Sequence, residues 1–495
     1  MAARESIQAA RAVTAPCVRT VSRRSPGLSA EVRCAVEALA TEIRAGEPAI
    51  GDVDVFGPDV FRGCGPEPKV LFGDSGEIPL IAEASYNRLD YRIGFLAGEG
   101  DLIVIGDVRH PAFEDYQRQV LGLSRLDFTS FATQFRGRYR ATPATCLRDE
   151  PAYAQLRRFA AGHGGTTLFA FLTTGTIWAL AARLAADTGC RIGVAGPPPL
   201  LSRRANDKIW FGNVVARLFG SEAEPEKRTA HGWAALVRHV GDMAQRWERL
   251  LIKVPDSAGS AGNCVVDCPA VRGLGAHELS DHLRGLVPVQ MRGVPFPVAV
   301  EVWDADVLTS PSVQVWIPDP KDGEPVIEGI FEQILIGAEG EFAGAAMADL
   351  PADQDTVLSE QAVALSLLYQ KLGYFGRCSF DAVIVEMRPE DARVHWIECN
   401  ARWGGVSIPM SFANNTARTG SFAVVQCGQT LVPARPFDDA LAVAEAPGEP
   451  GGEVVLLSPN MVEAGTGCHF VAFGKSPQLA LHRARQVLRN LQKDR

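Results

Sequence analysis

The sequence predicts an α/β chain whose later part is α+β, and three observations carry that expectation. First, short apolar runs at 70–72, 102–105, 168–172 and 192–195 are punctuated by glycine, and helical periodicity follows the last three at 112–121, 177–186 and 206–219. Strand, crossover helix, strand is the order that builds a parallel layer. Second, from residue 250 the pattern changes to strands joined by loops, at 250–254, 264–266, 298–303 and 313–317. Third, residues 371–409 read as a hairpin with one polar and one apolar face.

Composition sets the outer bounds. A chain of 495 residues is too long for one core, and three domains is the natural division. With 46% hydrophobic and 22% charged residues the composition is globular, and a net charge of −9 argues against a nucleic-acid surface. Eleven cysteines without a repeating pair spacing fit reduced thiols in a cytoplasm. Cys264 and Cys268 are not followed by a second pair or a histidine at zinc-site spacing. Residues 1–27 carry arginines but no apolar run, so they read as a poorly ordered arm rather than a secretory signal. The long uncharged stretch 166–182 falls just short of a membrane span and reads better as a strand and a helix. The expectation is a soluble protein with no membrane partner. The turn after Ile105 is Gly-Asp-Val-Arg-His-Pro, without the glycine fingerprint of a dinucleotide site.

The helix signals at 28–44 end at Gly46 and Pro48. Ser359 is placed to cap a helix over 360–372, ended by Gly373, that backs the hairpin. In the hairpin, a period of two puts Arg377, Ser379 and Asp381 on one face and Cys378, Phe380, Ala382 and Ile384 on the other. After a turn at 388–391, Trp396, Glu398, Asn400 and Arg402 alternate with His395, Ile397 and Cys399. Closing the hairpin sets Asp381 almost opposite Glu398, with Asn400 beside them and an arginine at either side. Like charges facing each other destabilise a sheet unless a cation sits between them. An all-oxygen set of this kind suits Mg2+, which takes one or two carboxylates plus water and phosphate oxygens. A solvated polar face would account for each acid singly, but less well for the E-x-N-x-R run that leads into Gly404 and Gly405.

Two lysines add a phosphate theme. Lys253 lies inside an apolar strand, where an ammonium is costly unless paired or able to reach water. The loop 256–263 that follows is made of small residues, including Ser257, Gly259, Ser260 and Gly262, whose backbone N–H groups can close over phosphate oxygens. A plain hairpin loop is the alternative for that segment alone. Lys208 stands beside Asn206 and Asp207 at the start of a helix, where reaching inward and remaining solvated are equally compatible with the residues.

The runs RCSFD and ECNARWGGVSIP resemble the metal-binding end of the ATP-grasp superfamily, specifically its carboxylate–amine ligases. GYFGRCSFDAV and ECNARWGG behind an α/β domain are most similar to pheganomycin-type peptide ligases. The specific motifs cover 206–412, and 70–196 resembles a pre-ATP-grasp domain by arrangement. The resemblance implies ATP and Mg2+ as cofactors, with Asp381, Glu398 and Asn400 on the metal and Lys208, Lys253 and the loop on phosphate. It assigns Glu301, Val302 and Trp303 to the adenine hinge, although Trp303 as plain core is as compatible with the residues. Ser310-Pro311-Ser312 stands where the family has a ribose-binding acid, which Asp304 or Asp306 would have to replace. Arg377 and Arg402 become catalytic residues, and Gly404, Gly405 and Ser407 a substrate turn.

The implied domains are an N-terminal arm and helix (1–50), a Rossmann-like pre-ATP-grasp domain (51–200), a small lobe (201–297), a large lobe with the metal (298–433), and a linker with a β-β-α C-terminal tail (446–495). The implied reaction joins a carboxylate and an amine through an acyl phosphate, with small amino acids or peptides as partners and room for a homodimer. Phosphotransfer on the same fold, or nucleotide binding without turnover, are the competing functions.

Overall fold

The protein is represented by a computed structural model that describes residues 26–493, apart from 81–86, 107, 132–141, 258–261, 288–292, 294–295, 338–339, 387–391, 417, 419, 428–431 and 447–452. The first layer is a six-stranded sheet of β1 (Val60–Arg62), β2 (Lys69–Phe72), β3 (Leu102–Ile105), β4 (Asp127–Ser130), β5 (Gly165–Ala170) and β6 (Arg191–Val194). Its order is β1-β6-β5-β2-β3-β4, and every described pairing in it is parallel. Strands buried on both faces read as continuous apolar runs, as β3 does throughout and β2 does after Lys69, whose ammonium is paired with Asp101 at 3.3 Å. The stretch 166–182 resolves into β5 and the helix Gly175–Thr188. No helix of the described residues is long and apolar enough to cross a membrane.

A four-stranded antiparallel sheet follows, made of β7 (Lys227–Ala230), β8 (Arg249–Lys253), β9 (Asn263–Asp267) and β10 (Val298–Val302) in the order β7-β10-β8-β9. Helices Trp233–Ala244 and Ala276–Leu286 bury their apolar stripes on it through Leu236, Val240, Leu279 and Leu283. The third sheet has nine strands: β11 (Val307–Thr309), β12 (Pro311–Ile317), β13 (Val326–Ile336), β14 (Glu341–Met347), β15 (Gly376–Glu386), β16 (Ala392–Asn400), β17 (Ser421–Cys427), β18 (Val454–Leu456) and β19 (Cys468–Gly474). β15 and β16 form the expected hairpin, with Asp381 paired to Glu398.

Four details depart from the sequence reading. The backing helix is Ala352–Lys371, so Ser359 lies within it, and its start carries Asp353 and Asp355 in the first turn. Acids there offset the helix dipole without a side-chain cap. Trp396 does not share a face with Glu398. The register slips between Asp381 and Ala382, so Ala382 pairs with Trp396 and Ile397 is left over as a bulge. Trp396 thereby enters the core against Phe380, ring centroids 6.1 Å apart, and its indole N–H donates to Gln361 Oε1 at 2.7 Å. The C-terminal tail is not a separate unit, because strand β17 lies before it. Through β17 the C-terminal strands join the large sheet, since β19 pairs β17 from Ser421↔Gly474 to Cys427↔Cys468. Among the described residues eight cysteines are free thiols, as expected, but Cys64 is disulfide-bonded.

Candidate active site

The sequence NDK at 206–208 ties three elements together, one residue each. Asp207 caps helix Lys208–Phe219 by accepting from the N–H groups of Ile209 and Trp210. Asn206 Oδ1 accepts from the Ala401 N–H at 3.0 Å and from Arg402 Nη1 at 2.5 Å, clamping the end of β16. Lys208 is buried and turned inward. Its Nζ lies 3.1 Å from Glu398 Oε2, and it donates to Ser257 O at 3.1 Å and Ser257 Oγ at 3.2 Å. The inward reading of this lysine is therefore the one that fits.

Asp381 and Glu398 sit side by side on adjacent strands. Ser312 Oγ donates to Asp381 Oδ1 at 2.5 Å, and Gln333 also hydrogen-bonds that carboxyl. Asn400 Nδ2 reaches both acids, at 2.9 Å to Asp381 Oδ2 and 3.3 Å to Glu398 Oε1, while its oxygen takes a bond from Arg402 Nη2. Burial, then the Glu398 charge, pushes the Asp381 carboxyl up to about 7. Burial would raise Glu398 too, but Lys208, Arg402 and Lys253 hold it below the usual range. One acid that resists ionising beside one that is fully charged marks a place where added positive charge is stabilised. Two carboxylates and an amide fit Mg2+, which draws its remaining ligands from water and phosphate. No cluster of three or more His, Cys, Asp or Glu side chains suited to a metal occurs among the described residues.

Lys253 is buried and ion-paired with Glu301 across the β8–β10 pairing, which explains how an ammonium is tolerated in that strand. Of the loop residues, Gly259 and Ser260 lie outside the described residues. Ser257 is buried against Lys208, and Gly262 is confined beside it, because an added Cβ would lie 2.3 Å from Ser257 Oγ. At the hinge, the Val302 and Trp303 N–H groups donate to Glu226 O and Arg249 O, and Arg249 stacks over the Trp303 ring at 4.3 Å. Of the alternative ribose acids, Asp304 is 2.9 Å from His395 Nδ1.

The two arginines part company. Arg402 belongs to the acid face. Arg377 does not: its side chain is fully buried in an ion pair with Glu328, and its Nη2 donates to Ser411 Oγ at 3.1 Å. The Arg377 guanidinium is also packed between Trp316 and Trp403, at 5.5 Å and 5.0 Å. The expected flanking role on phosphate is thus not where its guanidinium points. Ser407 is fully buried and accepts from the Gly404 N–H at 2.7 Å, shaping the turn from beneath. A Cβ on Gly405 would lie 2.5 Å from Gln426 Oε1, itself held by Arg92 Nη1 at 3.2 Å. Sequence reasoning missed Ser312, Gln333 and Arg92.

His469 on β19 is fully buried against the Gly405 backbone and Arg92, and burial first, then Arg92, holds it well below the usual histidine range. A histidine kept neutral in the fold charges freely once unfolded, so its contribution is complete above pH about 6.5 and is lost as pH falls below that. Replacing His469 with Phe is expected to flatten the acid limb of stability, read from urea midpoints between pH 5 and 8.

Residues 90–186 match the family described as Pre ATP-grasp domain. No curated protein matches the chain. Among solved structures it is similar to the biotin carboxylase domain of 2-oxoglutarate carboxylase from Hydrogenobacter thermophilus, at 13% identity and TM-score 0.54 over 85% of this chain and 89% of that one. It is similar to biotin carboxylase from Campylobacter jejuni at 14% identity and TM-score 0.53, over 86% and 91%. N5-carboxyaminoimidazole ribonucleotide synthetase from Thermus thermophilus gives 14% identity and TM-score 0.52, over 86% and 99%. The fold is that of the ATP-grasp superfamily.

The acid face adjoins a cavity of about 370 Å³. Glu77, Leu172, Thr174, Arg203, Asp256 and Arg402 are among its lining residues, so the parallel-sheet layer, the helix Pro199–Asn206 and the end of the β15–β16 hairpin all contribute walls.

Proposed function

We propose that the chain is an ATP-dependent carboxylate–amine ligase, within the superfamily most similar to pheganomycin-type peptide ligases. In this reading 51–200 is the pre-ATP-grasp domain, 201–297 the small lobe and 298–433 the large lobe, with 446–495 extending the large lobe's sheet. The observation that carries it is the meeting of Lys208, Glu398, Asp381 and Arg402 on one face, Lys208 buried and the other three half-buried. Each of these side chains is held by a bond from another element. The Hydrogenobacter relative is described with MgADP, ADP and bicarbonate and as a dimer, which supports ATP and Mg2+ here and is the support for a homodimer.

Lys208 and Lys253 supply charge for the phosphates, with the loop of small residues closing over them. Asp381, Glu398 and Asn400 would hold Mg2+, which neutralises phosphate charge as the γ-phosphoryl group moves. The Asn400 amide oxygen, which here accepts from Arg402 Nη2, would be its ligand atom. Arg402 is placed to stabilise the negative charge that develops as the substrate carboxylate takes the phosphoryl group and the amine attacks. No covalent enzyme intermediate is needed, so positioning and electrostatics carry the rate. The products are an amide, ADP and phosphate. Mass spectrometry of mixtures with ATP, Mg2+ and a panel of amino acids and dipeptides tests the reading. A ligated product with ADP supports it. A phosphorylated single substrate with no amide would make the chain a phosphotransferase.

Asp381 also sets a pH dependence. Its folded carboxyl titrates at about 7, above the ordinary 3.8, so the ionised form is disfavoured in the fold and stability declines as pH rises through that window. A divalent cation reverses that cost. The rise in melting temperature on adding Mg2+ should therefore be larger at pH 8 than at pH 6, measured by scanning fluorimetry without nucleotide.

A further inference from the structure

The cavity beside the acid face carries free charges of both signs, and the nucleotide chemistry uses neither of the two that matter. Asp256 lines it at the start of the loop of small residues, and Arg203 lines it from helix Pro199–Asn206. Neither side chain forms a hydrogen bond or ion pair with the described residues. By contrast, the other acid in the wall, Glu77, is fixed by hydroxyl donors from Thr174 and Thr176, each at 2.5 Å. Asp256 stands within electrostatic reach of Arg402 and Lys208, so it adjoins the place where phosphate chemistry would occur. A bare carboxylate there repels a triphosphate, and it is tolerable only if a cation faces it when the site is full. Arg402 and Lys208 are assigned above to the phosphoryl chemistry, and Arg203, the remaining cation within electrostatic reach, makes no ion pair with Asp256, so the cation that faces it is left to the substrate.

We infer that the cavity is the amine subsite, that Asp256 binds the substrate ammonium and removes its proton, and that Arg203 receives the carboxylate of an α-amino acid or peptide. This rests on the ligase reading above. One proton of the ammonium passes to Asp256, leaving a neutral amine whose lone pair forms the C–N bond to the acyl phosphate carbonyl. The C–O bond to phosphate then breaks, and the second nitrogen proton leaves with the phosphate. Burial raises the Asp256 carboxyl, which makes it a stronger base than a solvated aspartate. The wall also contains Ile78, Leu172, Pro199 and Leu200, so a side chain of the amine substrate has apolar surface to cover.

Hydroxylamine separates the two claims, because it is uncharged at pH 8 and attacks acyl phosphates without help from a base. Wild-type enzyme with ATP, Mg2+ and each of the twenty standard amino acids as carboxylate would be assayed for hydroxamate with hydroxylamine, and for dipeptide with the same amino acids as amines. For Asp256→Asn we expect hydroxamate formation within twofold of wild type and dipeptide formation reduced at least a hundredfold, with partial recovery in Asp256→Glu. Arg203→Gln should raise KM for free amino acids at least tenfold and leave KM for their amides unchanged. Wild-type dipeptide rates in Asp256→Asn would overturn the inference and leave the ligase reading standing. Loss of hydroxamate together with dipeptide in that variant would also overturn it, assigning Asp256 to the nucleotide. Absence of hydroxamate from the wild type with every carboxylate would overturn the ligase reading and the subsite with it.

Discussion

Glu398→Gln is expected to cut ADP release by a factor on the order of 10²–10³, the scale on which single preorganised electrostatic groups act. The change keeps shape and volume and removes one charge. That charge is the shared partner of Lys208, at 3.1 Å, and of the Asn400 amide, at 3.3 Å, and it faces Asp381 across the strand pair. Without it the proposed metal loses a ligand and Lys208 loses its counter-charge. The fold should tolerate the change. Lys208 keeps both bonds to Ser257, and Asp381, no longer beside a full negative charge, ionises more easily. Circular dichroism and urea midpoints near wild type, alongside lost turnover, are the expected pair of results. Undiminished ADP release would remove the metal assignment.

The face that this variant probes was largely legible in the sequence, and the reason is local. Asp381, Glu398 and Asn400 belong to one hairpin, so period-two alternation and a turn sufficed to bring them together. Lys208 needed more. Its burial depends on Ser257 and Glu398, both distant along the chain, and only the family motif pointed there. Ser312 was illegible because its role comes from a strand neighbour: β12 pairs β15, with Ser312 opposite Asp381. Trp396 was misplaced by a single extra residue, Ile397, since a bulge leaves no mark in a two-residue period. The C-terminal strands were read correctly as strands but not as part of the large sheet, because antiparallel pairing with β17 is a tertiary fact. Asp256 was passed over inside a loop of small residues, where its charge matters only once Arg203 and the cavity are seen around it.

Arg377 was the sequence reading's other catalytic arginine, and a pair of substitutions at its partner separates structure from chemistry. Glu328→Ala is expected to destabilise the large lobe by about 3–5 kcal/mol, the usual cost of stranding one member of a fully buried ion pair. Both side chains are at zero exposure, and burial already pushes the Arg377 guanidinium down to about 9, so there is little solvent to rescue the orphaned charge. The guanidinium would keep only Ser411 and the two indole faces. Replacing both partners, Arg377→Met with Glu328→Leu, removes the charges together and should return the urea midpoint most of the way to wild type, because apolar groups of similar volume often substitute for a buried pair. The double variant then answers the functional question. If Arg377 only pins β15 to β13, turnover in the refolded double variant stays within a few-fold of wild type. A double variant that is as stable as wild type but has lost turnover would return Arg377 to the catalytic set, and with it the view that a second arginine reaches the phosphoryl group.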